Sequence, residues 1–595
     1  MRVMLVLPPQ WTPAMPHLAL PVLASHLRSQ GVDVIQRDLN LETYDTVLSR
    51  AYLEQSLERL RARREPPDPH FAREAGQWAQ THGPELAAQV ETAKAVFRSP
   101  AFYDGPKSLK AFEVIVQSLE LASLPFHPAR LDLLNYAPAS PADSSRSLLQ
   151  AVRDSRHNLF LDLFRRIILP DIQREQPHVV GISIPTLGQM LAAMTLAHLI
   201  KQAGLPCHVT VGGPHITMLR EQLPRVPALF NLIDSAVVFD GEIPLLRLAE
   251  ALDGGGDLHK VPNLIYKAGD EIRTNRSDDL SRQIAQVATT NGETPDFDGL
   301  PLDRYLAPEL VLPLMTAHGC YHGQCGFCSV GYGAGKGFHP LPVEQVIEQI
   351  ETLRIKYGTC HIFFADEAIP PRTLRLLSAK LAGQGAPVNW CGCARFERAL
   401  SQELLESMSR GGCRMLLFGL ETASERMIEH IVKGTQRETM SRILKESTQA
   451  GIWNHTFFFF GFPTETMDDA QETVNFVYAH QAFIHSASPG EFVLERYSPV
   501  HLAPEKFGVR RIIHKPGQDL AIHFDYEVES GLDAYMAATV VERLLDVLPT
   551  KRFGQYYVHD VYRFLYVSHL HSQGQPLPPW LIDEETVEEA QDAIP

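Results

Sequence analysis

What most limits the folding of this chain is an alternation of short apolar runs with helical stripes, and the alternation happens twice. The first series opens with an apolar run at residues 3–7 that stops at Pro8 and Pro9. Leu20, Leu23, Ala24 and Leu27 then recur at helical spacing, Gly31 stops the helix, and residues 32–35 form a second run. Further runs follow at residues 179–184, 209–213 and 236–239, the last leading into Asp240, Gly241 and Glu242. Continuous apolar runs of this length suit parallel strands covered on both faces. They predict an α/β fold, a doubly wound (Rossmann-like), mostly parallel sheet over residues 1–285. The stripes between residues 41 and 176 stay helical and show no convincing strand, so this stretch reads as a helical insertion. Residues 270–303 are polar, contain prolines and suit a linker, and between the two domains the linker is drawn at 286–310.

The second series places strands at residues 311–315, 361–364, 388–390, 415–418 and 456–460. Val343, Val346, Ile347, Ile350 and Leu353 form a helical stripe between the first two. Ser401 is expected to cap a helix that Gly411 and Gly412 end, and Thr466 with Asp469 to cap another. Five or six such units predict a partial or full (β/α) barrel over residues 311–490, with its active site at the carboxyl ends of the strands. Residues 491–595 are weakly patterned and read as a small C-terminal region, a candidate substrate cover.

At 595 residues the chain exceeds one ordinary core. With 54 basic against 70 acidic residues the net charge is −16, which repels a phosphate backbone, so no nucleic-acid partner is expected. No apolar stretch is long enough to span a bilayer, and the N-terminus does not read as a signal peptide, so a cytoplasmic protein is expected. Eight cysteines in so long a chain are no disulfide scaffold, and six of them fall between Cys320 and Cys393. That clustering points to metal or redox chemistry.

The loop that follows the first strand of the second series holds Cys320, Cys325 and Cys328, together with His318, Gly319, Gly323 and Gly326. Three thiolates within nine residues can wrap one face of an iron–sulfur cluster, and three rather than four leave one iron open. A structural zinc site using His318 or His322 as a fourth ligand is the alternative, and three unrelated buried cysteines a weaker one. Zinc usually shows a second ligand pair downstream, and Cys391 with Cys393 has no recognisable zinc spacing.

This loop, with Phe327 just before the third cysteine, resembles the cluster motif of the radical S-adenosylmethionine (SAM) superfamily, although the spacers here are four and two residues where three and two are usual. Residues 363–367 resemble the segment that meets the SAM amino group, residues 418–422 the segment near its ribose, and residues 461–466 the Gly-x-Pro-x-Glu-Thr turn of the cobalamin-linked branch. The resemblance implies a [4Fe-4S] cluster on Cys320, Cys325 and Cys328. It further implies SAM contacts from Phe327, Ala365, Asp366, Glu367, Arg395 and Glu421, with Arg395 also free to pair with Glu397 or Glu421.

The sheet before the barrel resembles the cobalamin-binding domain of cobalamin-dependent radical SAM enzymes. By that resemblance Pro8, Pro9, Ser183, Thr186, Gln189, Gly212, Gly213, His215, Gly241 and Glu242 are the cobalamin contacts, without the Asp-x-His-x-x-Gly motif that supplies a lower histidine ligand. The activity implied is methylation of an unactivated carbon of a natural product, peptide or similar small substrate, through a 5′-deoxyadenosyl radical and methylcobalamin. An electron donor such as flavodoxin or ferredoxin is implied as partner. Cyclisation, rearrangement or ring contraction with the same cofactors is an alternative, as is a non-catalytic cobalamin sensor with structural zinc. Tyr332, Trp390 and aromatics of the C-terminal region are candidate lining of a substrate pocket.

Overall fold

The computed structural model describes residues 1–62, 69–275, 293–330, 337–547, 556 and 558–578. The chain divides into two units: residues 1–283, 293–310 and 515–521 form one, and 284–292, 311–514 and 522–595 the other.

The first unit is built on β1 (Arg2–Leu7), β2 (Asp33–Asp38), a short hairpin of β3 (Arg130–Leu131) and β4 (Tyr136–Ala137), β5 (Val179–Ser183), β6 (His208–Gly212), β7 (Ser235–Val237), β8 (Leu264–Ala268) and β9 (Glu271–Thr274). The main sheet runs β2-β1-β5-β6-β7-β8-β9. Its first five strands are parallel, and β8 and β9 extend it as an antiparallel hairpin. Strand order therefore reverses between β1 and β5, and ligands of such sheets sit outside the carboxyl ends at that crevice. Val3, Leu5, Leu7, Val179 and Val237 join Leu20, Ala24 and Leu27 of the helix Ala19–Ser29 in one buried core.

Three expectations change here. β9 lies in a stretch read as linker; its Glu271 and Arg273 are exposed because it is an edge strand, which needs no apolar face. The insertion is helical, from Leu39–Val47 to Leu169–Glu175, but it also carries the β3–β4 hairpin. Residues 293–310, expected within the linker, pack against the first unit. Arg28 pairs with Asp296 at 2.6 Å, Gln36 Nε2 donates to the Asp296 and Asp298 carbonyls, and Tyr305 donates to buried Asp38 at 2.6 Å. Burial raises the Asp38 carboxyl to about 6.

The second unit holds β10 (Val311–Leu314), a β11 (Ala317–His318) and β12 (His339–Pro340) hairpin, β13 (His361–Phe364), β14 (Asn389–Ala394), β15 (Cys413–Glu421), β16 (Trp453–Phe460), β17 (Ser486–Glu491), β18 (Leu494–Glu495), β19 (Val509–Ile513) and β20 (His523–Val528). The sheet β10-β13-β14-β15-β16-β17 is parallel throughout. Its edge strands β10 and β17 do not pair, so the barrel is partial. Ser401 accepts from Leu404 N and Thr466 forms a capping box with Asp469, as the sequence predicted. Gly412 must be glycine: φ is +94° and an added Cβ would lie 2.1 Å from the Val388 carbonyl.

The sixth strand, β17, has no apolar run to betray it. Beyond it the region read as weakly patterned contains the small sheet β18-β20-β19 and the helices Ala534–Val547 and Asp560–Ser572. The last of these packs on β14 and β15. Among the described residues no helix is long and apolar enough to cross a membrane.

Candidate functional site

In the second unit the cysteine loop follows β10 and β11. Gly319 has φ +77°, and a Cβ there would come within 2.3 Å of the Gly337 carbonyl, so only glycine lets the loop pass. The four-residue spacer after Cys320 is absorbed in three ways. The Tyr321 hydroxyl donates to Glu397 at 2.8 Å, His322 Nε2 donates to the Val432 carbonyl at 2.8 Å, and left-handed Gly323 turns the chain beside exposed Gln324. Gly326 N then donates to the Ile431 carbonyl at 2.8 Å, and Cys328 N to the Cys325 carbonyl at 3.2 Å.

Arg395, at the end of β14, reaches across to the loop. Its guanidinium donates to the Lys433 carbonyl at 2.5 Å, lies 3.9 Å from Cys325 Sγ and pairs with Glu397 at 3.2 Å. Of the partners open to it in the sequence, the structure selects Glu397 over Glu421. Lys433 Nζ instead pairs with Glu421 at 2.7 Å and lies 5.7 Å over the Phe327 ring. Glu421 takes φ +62° at a register shift in β15. Gly419 makes room for the pair, since a Cβ there would sit 2.3 Å from Glu421 Oε1 and 2.7 Å from Lys433 Nζ. The Ile431 and Val432 carbonyls thus hold the cysteine loop, the Lys433 carbonyl holds Arg395, and both cations, Arg395 and Lys433, lie close to Cys325.

Burial raises the Cys325 thiol above its ordinary value, partly offset by Lys433 and Arg395, and pushes Cys328 up to about 12. Such thiols ionise on binding metal, and nearby cations favour the thiolate form. Among the described residues no group of three His, Cys, Asp or Glu side chains could hold a single metal ion. A cluster spreads its ligands over several irons, and the donor set suits it.

The strand-end carboxylates divide by the face they occupy. Asp366 is buried, and its oxygens accept from Thr316 N at 3.0 and 2.9 Å and from Thr316 Oγ1 at 2.6 Å. It ties the end of β13 to that of β10, and burial lifts it to about 6. Glu367 and Ala365 are exposed. The Glu367 carboxyl is nonetheless recessed enough for desolvation to raise it, helped by Glu495. Glu465, in the turn after β16, is buried, accepts from Gly461 N and is raised to about 8; its role is to close that turn. Trp390 is fully buried with its indole on the Gly411 carbonyl, so it is core and lines no pocket. Tyr332 lies outside the described residues.

The sequence reading overlooked Lys433 and Tyr321, and it named Glu397 only as one open partner of Arg395. Lys433 stands between Val432 and left-handed Gly434 just after the helix Glu425–His430, and that placement was the available signal.

In the first unit, Ser183 and Gly212 are the last residues of β5 and β6, and Pro8 and Gly241 follow the carboxyl ends of β1 and β7. Gln189 Nε2 donates to the Pro8 carbonyl at 2.8 Å, bridging the point where strand order reverses. Gln189 also forms a capping box with Thr186, so its buried amide is structural. Thr186 is exposed, and the backbone of Gly212, Gly213 and Gly241 is partly so. Gly213 has φ +103°, and its Cβ would meet the Ile184 carbonyl at 2.9 Å. Pro9, His215 and Glu242 are buried; desolvation raises Glu242 to about 7, with Asp240 and Glu293 adding to it. The accessible part is thus a set of strand-end amides, carbonyls and one hydroxyl at a crevice, which fits a broad ligand edged with amides.

Residues 314–477 match the model of the radical SAM superfamily. An uncharacterised methyltransferase of Pyrococcus horikoshii is 30% identical over 308 residues, covering 51% of this chain and 65% of that protein. The chain thus spans about two-thirds of the length of that curated relative. Among solved structures, the radical SAM methyltransferase TsrM from Kitasatospora setae, with cobalamin and a [4Fe-4S] cluster bound, superposes with a TM-score of 0.58 at 14% identity, covering 100% of this chain and 99% of that one. The cobalamin-dependent SAM radical enzyme OxsB, with aqua-cobalamin and SAM bound, gives 0.51 at 17% identity over 72% and 71%. At such identities the agreement is one of fold.

Proposed function

We propose that the chain is a radical SAM enzyme, a cobalamin-dependent methyltransferase acting on an unactivated carbon of a small molecule or peptide. The observation that carries the reading is the cysteine loop, held at the carboxyl end of a partial barrel by residues 431–433, with Arg395 against Cys325. Cys320, Cys325 and Cys328 would hold a [4Fe-4S] cluster, and Arg395 and Lys433 offset its negative charge. When bound, the cluster supplies the electron that cleaves SAM, and cobalamin carries the methyl group. Glu367 is the open carboxylate at this end of the sheet and is suited to accept from the SAM ammonium. Glu421, braced by Lys433, and Phe327 are the further candidates for SAM contact. In the first unit Thr186, Gly212, Gly213 and Gly241 would meet the corrin edge, while Pro8, Gln189 and His215 support them. The similarity to a methyltransferase-named relative and the likeness of fold support this reading. A flavodoxin or ferredoxin would serve as electron donor.

The test is anaerobic incubation of reduced, reconstituted protein with SAM and cobalamin, read by mass analysis of nucleoside products. S-adenosylhomocysteine together with 5′-deoxyadenosine is expected. 5′-Deoxyadenosine alone would favour a cyclisation or rearrangement, and neither product would overturn the enzyme reading.

A further inference from the structure

Strand alternation decides on which side of the sheet Arg395 emerges. On β13 the partly exposed Phe363, between buried Ile362 and Phe364, marks the inner face. Cys391 of β14 stands opposite Phe363 in register. Cys393 and Arg395 continue that set, so Arg395 leaves the end of β14 on the inner side. Its side chain is only 6% exposed, and polar atoms buried to that depth need partners.

Each of the three guanidinium nitrogens has one, all within the protein. Nε donates to Glu397 Oε1 at 3.2 Å, Nη2 to the Lys433 carbonyl at 2.5 Å, and Nη1 to Cys325 Sγ at 3.9 Å. The rigid fork fixes these three directions together. Glu397 is in turn held by the Tyr321 hydroxyl at 2.8 Å, and the guanidinium lies 5.8 Å over the Tyr321 ring. Gly434 leaves room for the arrangement. Its φ is +70°, and a Cβ there would lie 3.4 Å from Arg395 Nη2 and 3.0 Å from the His322 ring. Tyr321 and His322 belong to the long spacer between Cys320 and Cys325, so the spacer and the turn at residues 433–434 together seat the arginine against one sulfur. The cysteines are therefore unequal. Cys325 lies under the influence of the Lys433 and Arg395 cations, whereas the carboxylate acting on Cys328 is Glu367.

We propose that Arg395 is a positioning residue for the redox step: it donates to the Cys325 thiolate, and its charge makes reduction of the bound cluster easier, with Glu397 as the opposing charge. The proposal rests on the functional reading above and removes Arg395 from the SAM contacts that the resemblance implied, because its nitrogens are directed to Glu397, Lys433 and Cys325. One-electron reduction, by the external donor, adds a negative charge to the cluster and its thiolates. A donor and a cation on one thiolate stabilise that state more than the oxidised one, and hydrogen bonds to the sulfurs are among the terms that set such potentials.

The test is a potentiometric titration of the anaerobically reconstituted full chain without SAM, followed by electron paramagnetic resonance of the reduced cluster. Arg395→Gln should make reduction about tenfold harder, the size of one charge-assisted hydrogen bond, which lowers the potential by about 59 mV for one electron. Glu397→Gln keeps an acceptor for Tyr321 and Arg395 and removes the opposing charge, so its potential should rise. General damage to the loop does not shift the two variants in opposite directions. An Arg395→Gln potential equal to or above the parent's, or a Glu397→Gln potential equal to or below it, overturns the proposal. An arginine reserved for SAM gives the first of these results, since no SAM is present. If Arg395→Gln takes up no cluster, the sign for Glu397→Gln decides alone, and loss of the cluster from both variants overturns the proposal by making the pair structural. Nucleoside products are read separately with SAM added. Opposite shifts in a protein that yields no 5′-deoxyadenosine would refute the enzyme reading and leave this one standing, and a parent chain that takes up no cluster overturns both.

Discussion

Replacing Lys433 with methionine tests whether a buried ion pair holds the cysteine loop to the sheet. The Lys433 and Glu421 side chains are 8% and 11% exposed, and their charged atoms lie 2.7 Å apart. Methionine keeps an unbranched stem of similar length, so the change is chiefly the loss of the ammonium that pairs with Glu421 and lies over the Phe327 ring. A surface pair would be worth under about 1 kcal/mol. Here removal of the lysine leaves Glu421 buried without its counter-charge, which costs about 3–5 kcal/mol. The carbonyl bonds from Gly326, His322 and Arg395 to residues 431–433 are main-chain acceptors and survive the substitution. The loss therefore reports the side chain alone.

The chain has two units, so global unfolding is not one transition, and hydrogen exchange on peptides covering β15 and residues 431–434 is the suitable assay. A cost of about 3–5 kcal/mol raises their opening constant by about two to four orders of magnitude. The double variant Glu421→Gln/Lys433→Met removes both charges and should recover more than half of that change. An increase of tenfold or less in the single variant, or a double variant as open as the single, would refute the reasoning.

Cys325→Ala should abolish the visible absorbance of the reconstituted cluster and SAM cleavage while leaving cobalamin absorbance of the protein intact, because the two sites lie in different units. Gly319→Ala should lower cluster content as strongly, since its Cβ collides with the Gly337 carbonyl, while circular dichroism stays unchanged. Glu465→Gln should flatten the pH dependence of stability. The native carboxyl, raised to about 8 from an ordinary 4.5, binds its proton more tightly than in the unfolded chain. Its contribution is therefore present below about 4.5 and lost as pH rises to about 8, by a few kcal/mol. Melting temperatures at pH 5.5, 6.5 and 7.5 should show the variant gaining on the parent with pH, and a constant difference would contradict the assignment.

The two sheets were legible because parallel strands covered on both faces write continuous apolar runs, as in residues 179–183 and 415–418. β17 escaped for the opposite reason. Its inward serines serve Trp453 and His455, so Ser486 to Glu491 reads as a turn. The β8–β9 hairpin escaped because an edge strand is exposed on one side and can be polar. The cysteine loop was legible since spacing and glycines are local. Lys433 was not, because it reaches the loop from a separate segment just after the helix Glu425–His430 and stands in no pattern of its own.

The paired carboxylates after β13 show how far alternation can carry a sequence reading. Asp366 and Glu367 were equal candidates, and adjacent residues at a strand end point to opposite faces. Phe363 faces inward, so Ala365 and Glu367 continue its register. Asp366 belongs with the buried set of Ile362 and Phe364, where Thr316 takes up its oxygens. Knowing the facing of one aromatic would have assigned the doublet without coordinates. The same rule places Ser488 beside Phe457 and Arg395 above Cys393, so the inward register of the six strands, more than any single motif, defines which side chains the reacting centre can meet.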